Sequence, residues 1–266
     1  MGRKLKNAPV YFTVAQVRYN PILSLDSYIP KIQESMRKEG FPDFKKGVRT
    51  SFNVTAIARG DNVQPQLPTY ERVEYYVFFN ASSTRGFVVE QDAVAFQATE
   101  YDTFEVFSAE LLKGLDIIHK TVALDFSERV GVRYLDAVIP RDGDELSNYL
   151  VPEVFGIASR LANVEVLHSF SETLVRVPSI GTVTARTVIQ NGQPGFPPDL
   201  LPTGLKMMVS LMNFNGIHAI LDTDGSFEGR ESFDLGKLKE RLVALHDEIS
   251  KSFKATVTDH ARSVWD

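Results

Sequence analysis

Cysteine is absent from this chain of 266 residues. Disulfide bonds, thiolate metal sites and a cysteine nucleophile are therefore excluded. Long apolar runs are missing as well, because no stretch approaches the roughly 18 consecutive apolar residues that a membrane-spanning helix needs. The basic start GRKLK is not followed by the apolar segment of a secretory leader. These absences predict a cytoplasmic protein without a membrane partner.

Positive charge is in short supply, since 29 Lys and Arg residues stand against 34 Asp and Glu, for a net charge of −5. A negative chain is drawn to a phosphate backbone only where a local basic patch opposes its overall field. Outside GRKLK the sequence shows no basic stripe. Nucleic acid is therefore not an expected partner.

The first part of the chain is dominated by short alternating segments rich in β-branched and aromatic residues. Strands are predicted for APVYFTVAQVRYNPI, TSFNVTAIARG, RVEYYVFFNA, RGFVVEQ, AVAFQATEY and RVGVRYLDAVI, with a polar loop at residues 61–69. A helix capped by Ser24 or Asp26 follows the first strand. A second, with a capping box from Asp102 to Glu105, precedes the last. Closely spaced strands with tight connections indicate an antiparallel meander.

The segment PRDGDELSN, residues 140–148, is the best candidate for a boundary because acids, glycine and a helix-capping serine cluster there. Beyond it we predict a short helix at 149–160 and β-like runs at 164–177, 181–190, 205–213 and 217–221, interrupted by the loop NGQPGFPPDLLPTG. A long helix begins near Leu235, since Leu238, Leu242, Leu245, Ile249, Phe253 and Val257 form one apolar stripe.

This element order predicts an α+β protein. We expect antiparallel β-meander sheets with helices packed on one face and a long C-terminal helix. The two halves, residues 1–140 and 148–266, are similarly built, and they could also form one integrated domain.

The stretch HAILDTDGSF, residues 218–227, resembles the nucleophile loop of an aspartate-dependent phosphatase. That chemistry would need further acids and a lysine from downstream strands, but only 42 residues follow Asp224, and most of them are predicted helix. The spacing also fails as a calcium loop, because position twelve is Phe233 and not Glu. We therefore interpret Asp222 and Asp224 as acids at a strand end, followed by a turn at Gly225.

No assembled catalytic set is visible elsewhere. None of the five histidines belongs to an HExxH pair, although His246 could face Asp222 from the last helix. Neither a GxSxG elbow nor a glycine-rich phosphate loop occurs. The sequence thus predicts no catalytic residue, no metal and no cofactor.

Aromatic and arginine side chains are the remaining candidates for contact with a ligand or partner. The chain has 18 Phe and 9 Tyr, and the neighbours Tyr75 and Tyr76 must point to opposite sheet faces, so an open face would present an aromatic surface. Arg18 lies on the first strand, while Arg129 and Arg133 share one face of a later strand. These guanidinium groups could bind an anion, or they could form a buried ion pair either with a neighbour of Asp136 or with Asp222.

Several phrases together resemble a family of uncharacterised, sporadically distributed bacterial proteins of about 260 residues that is known by a sequence-model number. They are NAPVYFTVAQVRYNPI, ATEYDTFEVF, RVGVRYLDAVI, AILDTD and LHDEISKSFKATVTDHARSVW, and they span nearly the whole chain. The resemblance implies an accessory bacterial system such as phage defence or a toxin–antitoxin pair. It carries no catalytic residue to this sequence.

Three hypotheses follow. The first is a non-enzymatic interaction protein whose partner is another protein subunit, with a homo-oligomer as a further option. The second is a module that binds a small anionic ligand between Arg18 and Arg133. The third is a metal-dependent hydrolase that uses Asp222, Asp224 and His246.

Overall fold

The computed structural model describes residues 7–53, 69–161, 166–200 and 204–266. Its centre is one nine-stranded antiparallel sheet with the strand order β2-β3-β4-β5-β1-β6-β9-β8-β7. The strands are β1 (Val10–Tyr19), β2 (Asp43–Asn53), β3 (Thr69–Phe79), β4 (Arg85–Val89), β5 (Ala93–Ala98), β6 (Phe126–Val138), β7 (His168–Val177), β8 (Gly181–Gly192) and β9 (Gly216–Ser232).

Six α-helices and one 3₁₀-helix accompany the described part of the sheet. They are α1 (Leu25–Lys38), α2 (Phe104–Val122), α3 (Leu146–Tyr149), the 3₁₀-helix Pro152–Arg160, α4 (Val209–Met212), α5 (Leu235–Thr256) and α6 (Asp259–Trp265). The long helix predicted from Leu235 is confirmed, and Asp234 caps it by accepting a hydrogen bond from the Lys237 amide (2.8 Å). None of the described helices combines the length and apolar character needed to span a membrane.

Three long helices, α1, α2 and α5, pack on the same face of the sheet, which we call the helix-covered face. Each contributes an apolar stripe at three- and four-residue spacing, as in Leu111, Leu115 and Ile118 of α2. The stripes meet sheet residues such as Phe96 and Val132 in the largest buried cluster of the protein. The prediction of an α+β protein with helices on one face is confirmed.

The opposite face is partly covered by residues 193–200 and by residues 204–215, which contain α4, and we call it the loop-covered face. Phe196 makes edge-to-face contacts with Tyr11 and Phe12 of β1, with ring centroids 5.6 and 5.2 Å apart. Leu205 and Leu211 join the same apolar cluster. Residues 205–213 were predicted as a strand, which is wrong: they form this cover and the short α4.

The strand end predicted at Asp222 and Asp224 is also wrong. Strand β9 continues to Ser232, and both acids lie in its interior between β6 and β8. Gly225 is not a turn residue, because it sits under α5, where a Cβ atom would come within 3.0 Å of Ile249 Cδ1. The missing side chain allows α5 to pack closely on the sheet.

Two smaller predictions also change. The N-cap of α2 is Thr103, whose hydroxyl accepts from the Val106 amide (3.3 Å), and not Asp102. The helix predicted at 149–160 is replaced by the last residue of α3 and by the 3₁₀-helix, because Leu150 and Val151 between them are extended. Within the 3₁₀-helix, Gly156 (φ 57°) adds a kink. Most of the loop predicted at 61–69 lies outside the described residues, as does the end of the strand predicted from TSFNVTAIARG.

Candidate functional site

Strands β6, β8 and β9 bring a charged cluster together on the loop-covered face. The guanidinium group of Arg133 donates to Asp222 through two bonds, Nε to Oδ1 (2.6 Å) and Nη2 to Oδ2 (2.8 Å). The Asp222 side chain is 2% exposed. A bidentate pair of this kind is the expected way to bury an arginine beside a carboxylate. The buried pair proposed from sequence is therefore present.

Further acids complete the neutralisation of this cluster. Asp199, from the covering loop, accepts from Arg133 Nη1 (2.7 Å), and this contact lowers the pKa of the Asp199 carboxyl. Arg186 of β8 donates to Asp222 (3.3 Å) and to Glu172 of β7 (2.6 Å). Two guanidinium groups thus face three carboxylates, so the cluster has no spare positive charge for an anionic ligand.

Arg18 and Arg129 bond to other partners, and Asp224 lies beside this cluster without a hydrogen bond to either of its arginines. The Arg18 guanidinium pairs with Asp92 (2.8 Å), and Arg129 Nη1 donates to Gln16 Oε1 (3.2 Å). Asp224 is opposite Arg133 in the β6–β9 register, and burial raises the pKa of its carboxyl. The anion site between Arg18 and Arg133 therefore has no support in these contacts.

The structure does not bring Asp222, Asp224 and His246 together. The two aspartates belong to the loop-covered face, whereas His246 lies on α5 against the helix-covered face, in contact with Phe104 and Tyr134. Within the described residues there is no group of three or more His, Asp or Glu side chains that could hold a metal ion. The geometry required by the metal-hydrolase hypothesis is absent from this set.

Tyr75 and Tyr76 do point to opposite faces, as predicted, but they form no open aromatic surface. Tyr76 is buried in the helix-covered core, stacks on Phe44 and lies under the ammonium group of Lys46. Tyr75 is partly buried and packs against the apolar cluster of the loop-covered face. Both tyrosines therefore pack into apolar clusters, because a helix or a loop covers each face of the sheet beside them.

Exposed apolar side chains occur on β7, which sequence reasoning did not single out, and also in and around α4. Leu174 is 66% exposed and Phe170 is 55% exposed, and both point to the loop-covered face together with Glu172. Val175 is exposed on the other face, and Leu167 is exposed just before the strand. The signal in the sequence is the HSFSETLVRV segment itself, in which Phe170, Leu174 and Val175 stand among polar residues.

The two edges of the sheet differ in how they are protected. Strand β2 forms one edge and carries Lys45, Lys46 and Arg49, the charged residues that discourage pairing with another chain. Strand β7 forms the other edge, and within the described residues its one strand partner is β8. The 3₁₀-helix Pro152–Arg160 packs against part of β7, where Ser169 Oγ donates to the Phe155 carbonyl (3.4 Å). A ten-residue edge with exposed apolar side chains is suited to pairing with another strand.

Between β7 and the covering loop lies a cavity of about 520 Å³. Its walls combine Phe170, Phe196 and Pro198 with the neutralised Arg133 and Asp222. The cavity therefore continues the apolar surface of β7 towards the charged cluster, and Phe170 belongs to both.

Comparison of the chain with protein-family models, with curated proteins and with solved structures gives no match. The family resemblance drawn from the sequence therefore stays a prediction.

Proposed function

We propose that this protein is a non-enzymatic interaction protein that assembles through β7, with a second copy of the chain as its partner. The observation that carries the proposal is the edge position of β7 together with the exposure of Leu174 and Phe170. Edge strands of this length are usually protected by charge, proline or a covering element. Pairing with a second copy would satisfy the free backbone groups of β7 and bury its apolar side chains.

The sequence of β7 is complementary to itself in one antiparallel register. A two-fold axis through Leu174 places the two Leu174 side chains opposite each other and sets Glu172 of each copy opposite Arg176 of the other. Directly opposed residues in an antiparallel pair share one face, so these contacts form on the loop-covered side. An axis through Glu172 would instead oppose two acids, which is unfavourable.

Arg176 supports this register because it has no acidic partner within the described part of its own chain. Glu172 is paired with Arg186, but its side chain is 44% exposed and retains free acceptor capacity. Each copy would therefore provide one cation that has no acidic partner among the described residues and one accessible carboxylate. Isologous interfaces of two-fold dimers are self-complementary in this manner.

The oligomeric state in solution tests the proposal. We expect the wild-type chain to be a dimer at roughly 100 µM by light scattering after size exclusion, and Leu174→Lys to be a monomer because it places two ammonium groups opposite each other. Val48→Lys is the matched control, since Val48 is an exposed residue on the β2 edge. A monomeric wild type, or a dimer lost with Val48→Lys and kept with Leu174→Lys, would overturn the proposal.

A charge exchange tests the register itself. Arg176→Glu opposes two acids and Glu172→Arg opposes two cations, so each variant alone should be monomeric. An equimolar mixture restores both opposite-charge pairs in a heterodimer and should recover the dimer. Recovery in the mixture would establish the Leu174 axis, whereas dimers of either single variant would exclude it.

The family resemblance, together with the absence of cysteine and of long apolar runs, also indicates where the protein acts. These features favour an assembling subunit of an accessory bacterial system such as phage defence, located in the cytoplasm.

A further inference from the structure

A separate cavity of about 380 Å³ lies on the helix-covered side, between the start of β1, the N-terminus of α2 and the C-terminal half of α5. Much of its wall is apolar, from Pro9, Val10, Phe104, Ile249 and Phe253. This volume is enough for a small organic molecule. It lies on the opposite face of the sheet from the charged cluster and from the Phe170 and Leu174 side chains of β7, so it is separate from the proposed dimer contact.

The unusual group in this cavity is Asp136 of β6. The residue is 7% exposed and lines the cavity, and no described donor lies within hydrogen-bond distance of its carboxyl group. Buried carboxylates are normally paired or hydrogen-bonded, because their desolvation is otherwise costly. Burial accordingly raises the pKa of Asp136 from 3.8 to about 7. Among the described residues, this acid therefore has no cationic donor.

The neighbouring polar side chains do not supply that donor because they are bonded to one another. Tyr101 and Tyr134 share a hydrogen bond between their hydroxyl groups (3.2 Å), and Tyr134 is also 3.1 Å from Nδ1 of His246. His246 stacks on Phe104, with ring centroids 4.1 Å apart and planes 2° apart. Burial lowers the pKa of His246, so its ring is neutral at pH 7 and adds no positive charge.

The remaining charged groups around the cavity are Asp102 and Glu105 on the α2 side, Lys254 on α5 and Arg262 on α6. Glu105 and Lys254 are exposed, and Arg262 pairs with Asp259 of its own helix. Neither Lys254 nor Arg262 forms an ion pair with Asp136. The buried carboxylate therefore remains available to a group that enters the cavity.

We propose that this cavity binds a small organic cation, with its protonated nitrogen donating to Asp136 and its apolar or aromatic body packed among Phe104, Ile249 and Phe253. A cationic donor would compensate the buried carboxylate, and a charge-assisted bond inside an apolar pocket is strong. The faces of the surrounding aromatic rings also favour a cation over an anion. A neutral ligand would leave the carboxylate without a counter-charge.

Three probes of the same shape test this assignment: benzylamine, benzyl alcohol and benzoate, each titrated into the full chain by calorimetry at pH 8. We expect benzylamine to bind at least about tenfold more tightly than benzyl alcohol, and benzoate to bind most weakly. In Asp136→Asn the amine should lose this advantage and bind about as weakly as the alcohol. Glu105→Gln, which removes an exposed acid at the same cavity, is the control and should change the amine affinity by less than about twofold.

The pH dependence gives a second readout. Benzylamine stays protonated between pH 6 and pH 8, whereas Asp136 ionises, so its affinity for the wild type should rise about tenfold over this range and stay constant in Asp136→Asn. Equal affinities for the three probes, an amine preference that survives in Asp136→Asn, or no amine binding at millimolar concentration would each overturn the proposal. Carboxyl chemical shifts of the wild type, followed by NMR with and without benzylamine, report on Asp136 directly and should show its pKa falling when the amine binds.

Discussion

At the scale of single residues, Asp136 shows how one buried group can set a property of the whole chain. Its neighbour Tyr134 lies opposite Thr223 in the sheet, and the Tyr134 hydroxyl is within hydrogen-bond distance of His246. The Asp136 carboxyl group itself has no described donor. The folded protein therefore holds this acid in its protonated form at pH values where the unfolded chain has already released the proton.

The stability of the protein should carry the signature of this acid. Because the pKa is raised from 3.8 to about 7 on folding, the free energy of unfolding falls as pH rises between these values, and this contribution levels off above pH 7. Between pH 5 and pH 8 the loss amounts to about 3 kcal/mol. We expect Asp136→Asn to lack this decrease, and urea unfolding of both chains at the two pH values measures it.

The decrease of the unfolding free energy with rising pH should be absent in Asp136→Asn and present in variants at other acids. Asp92→Asn, which removes a carboxyl group from the surface pair with Arg18, should keep the wild-type slope. A slope shared by wild type and Asp136→Asn would show that Asp136 is solvated or paired in solution.

Some of these single-residue features could be predicted from the sequence. The sequence indicates both Arg133 and Asp222 as candidate residues, and the structure shows the buried ion pair that is one of the predicted arrangements for them. Asp136 received no role, because an acid in the segment YLDAV looks the same whether or not a donor reaches it. The presence of a donor depends on side chains from α2, α5 and β1, which are distant in sequence.

At the scale of elements, β9 departs most from expectation. Two acids and a glycine in LDTDG are typical of a turn, yet this strand runs for 17 residues through the middle of the sheet. The local preference is overcome by partners on both sides: Arg133 on β6 and Arg186 on β8 neutralise Asp222, while Ile249 of α5 packs over Gly225.

Removing the acid from this strand should therefore be costly. Asp222→Ala leaves Arg133 without its buried partner, and breaking one side of such a pair costs about 3–5 kcal/mol in unfolding free energy. Chemical denaturation at pH 7 measures the loss.

Asp199→Ala provides the comparison, because it removes the other acid of the same arginine. The Asp199 side chain is 66% exposed, and the loss should stay below about 1 kcal/mol. Equal losses in the two variants would contradict the view that Asp222 holds β9 in place.

At the scale of the whole molecule, residues from both predicted halves build one sheet. Strand β6, from the first half, pairs with β9, from the second, along most of its length. Helices α2 and α5 also share one apolar core. The division into residues 1–140 and 148–266 stays a prediction about folding units, and this shared core suggests how it can be tested.

We expect a single cooperative unfolding transition. The one tryptophan, Trp265, is buried in a C-terminal cluster with Tyr149 and Val257, so its fluorescence reports on the second half, while far-ultraviolet circular dichroism reports on the whole sheet. The two signals should change at the same urea concentration, because the β6–β9 pairing and the common core couple both halves. Separate midpoints would support two independent domains.

The sequence by itself determined the α+β class, the antiparallel strands and the apolar stripes of the long helices. These features are encoded by periodicity and composition over short stretches, which do not depend on distant partners. Tertiary structure alone decided that Asp222 is inside a strand, that Tyr75 and Tyr76 are covered and that β7 lies at an edge of the sheet. It also decided that Asp136 faces a cavity in which no described side chain donates to it. Each of these outcomes depends on which distant segment lies beside a residue, and burial and pairing across the sheet can outweigh the local preference of the chain.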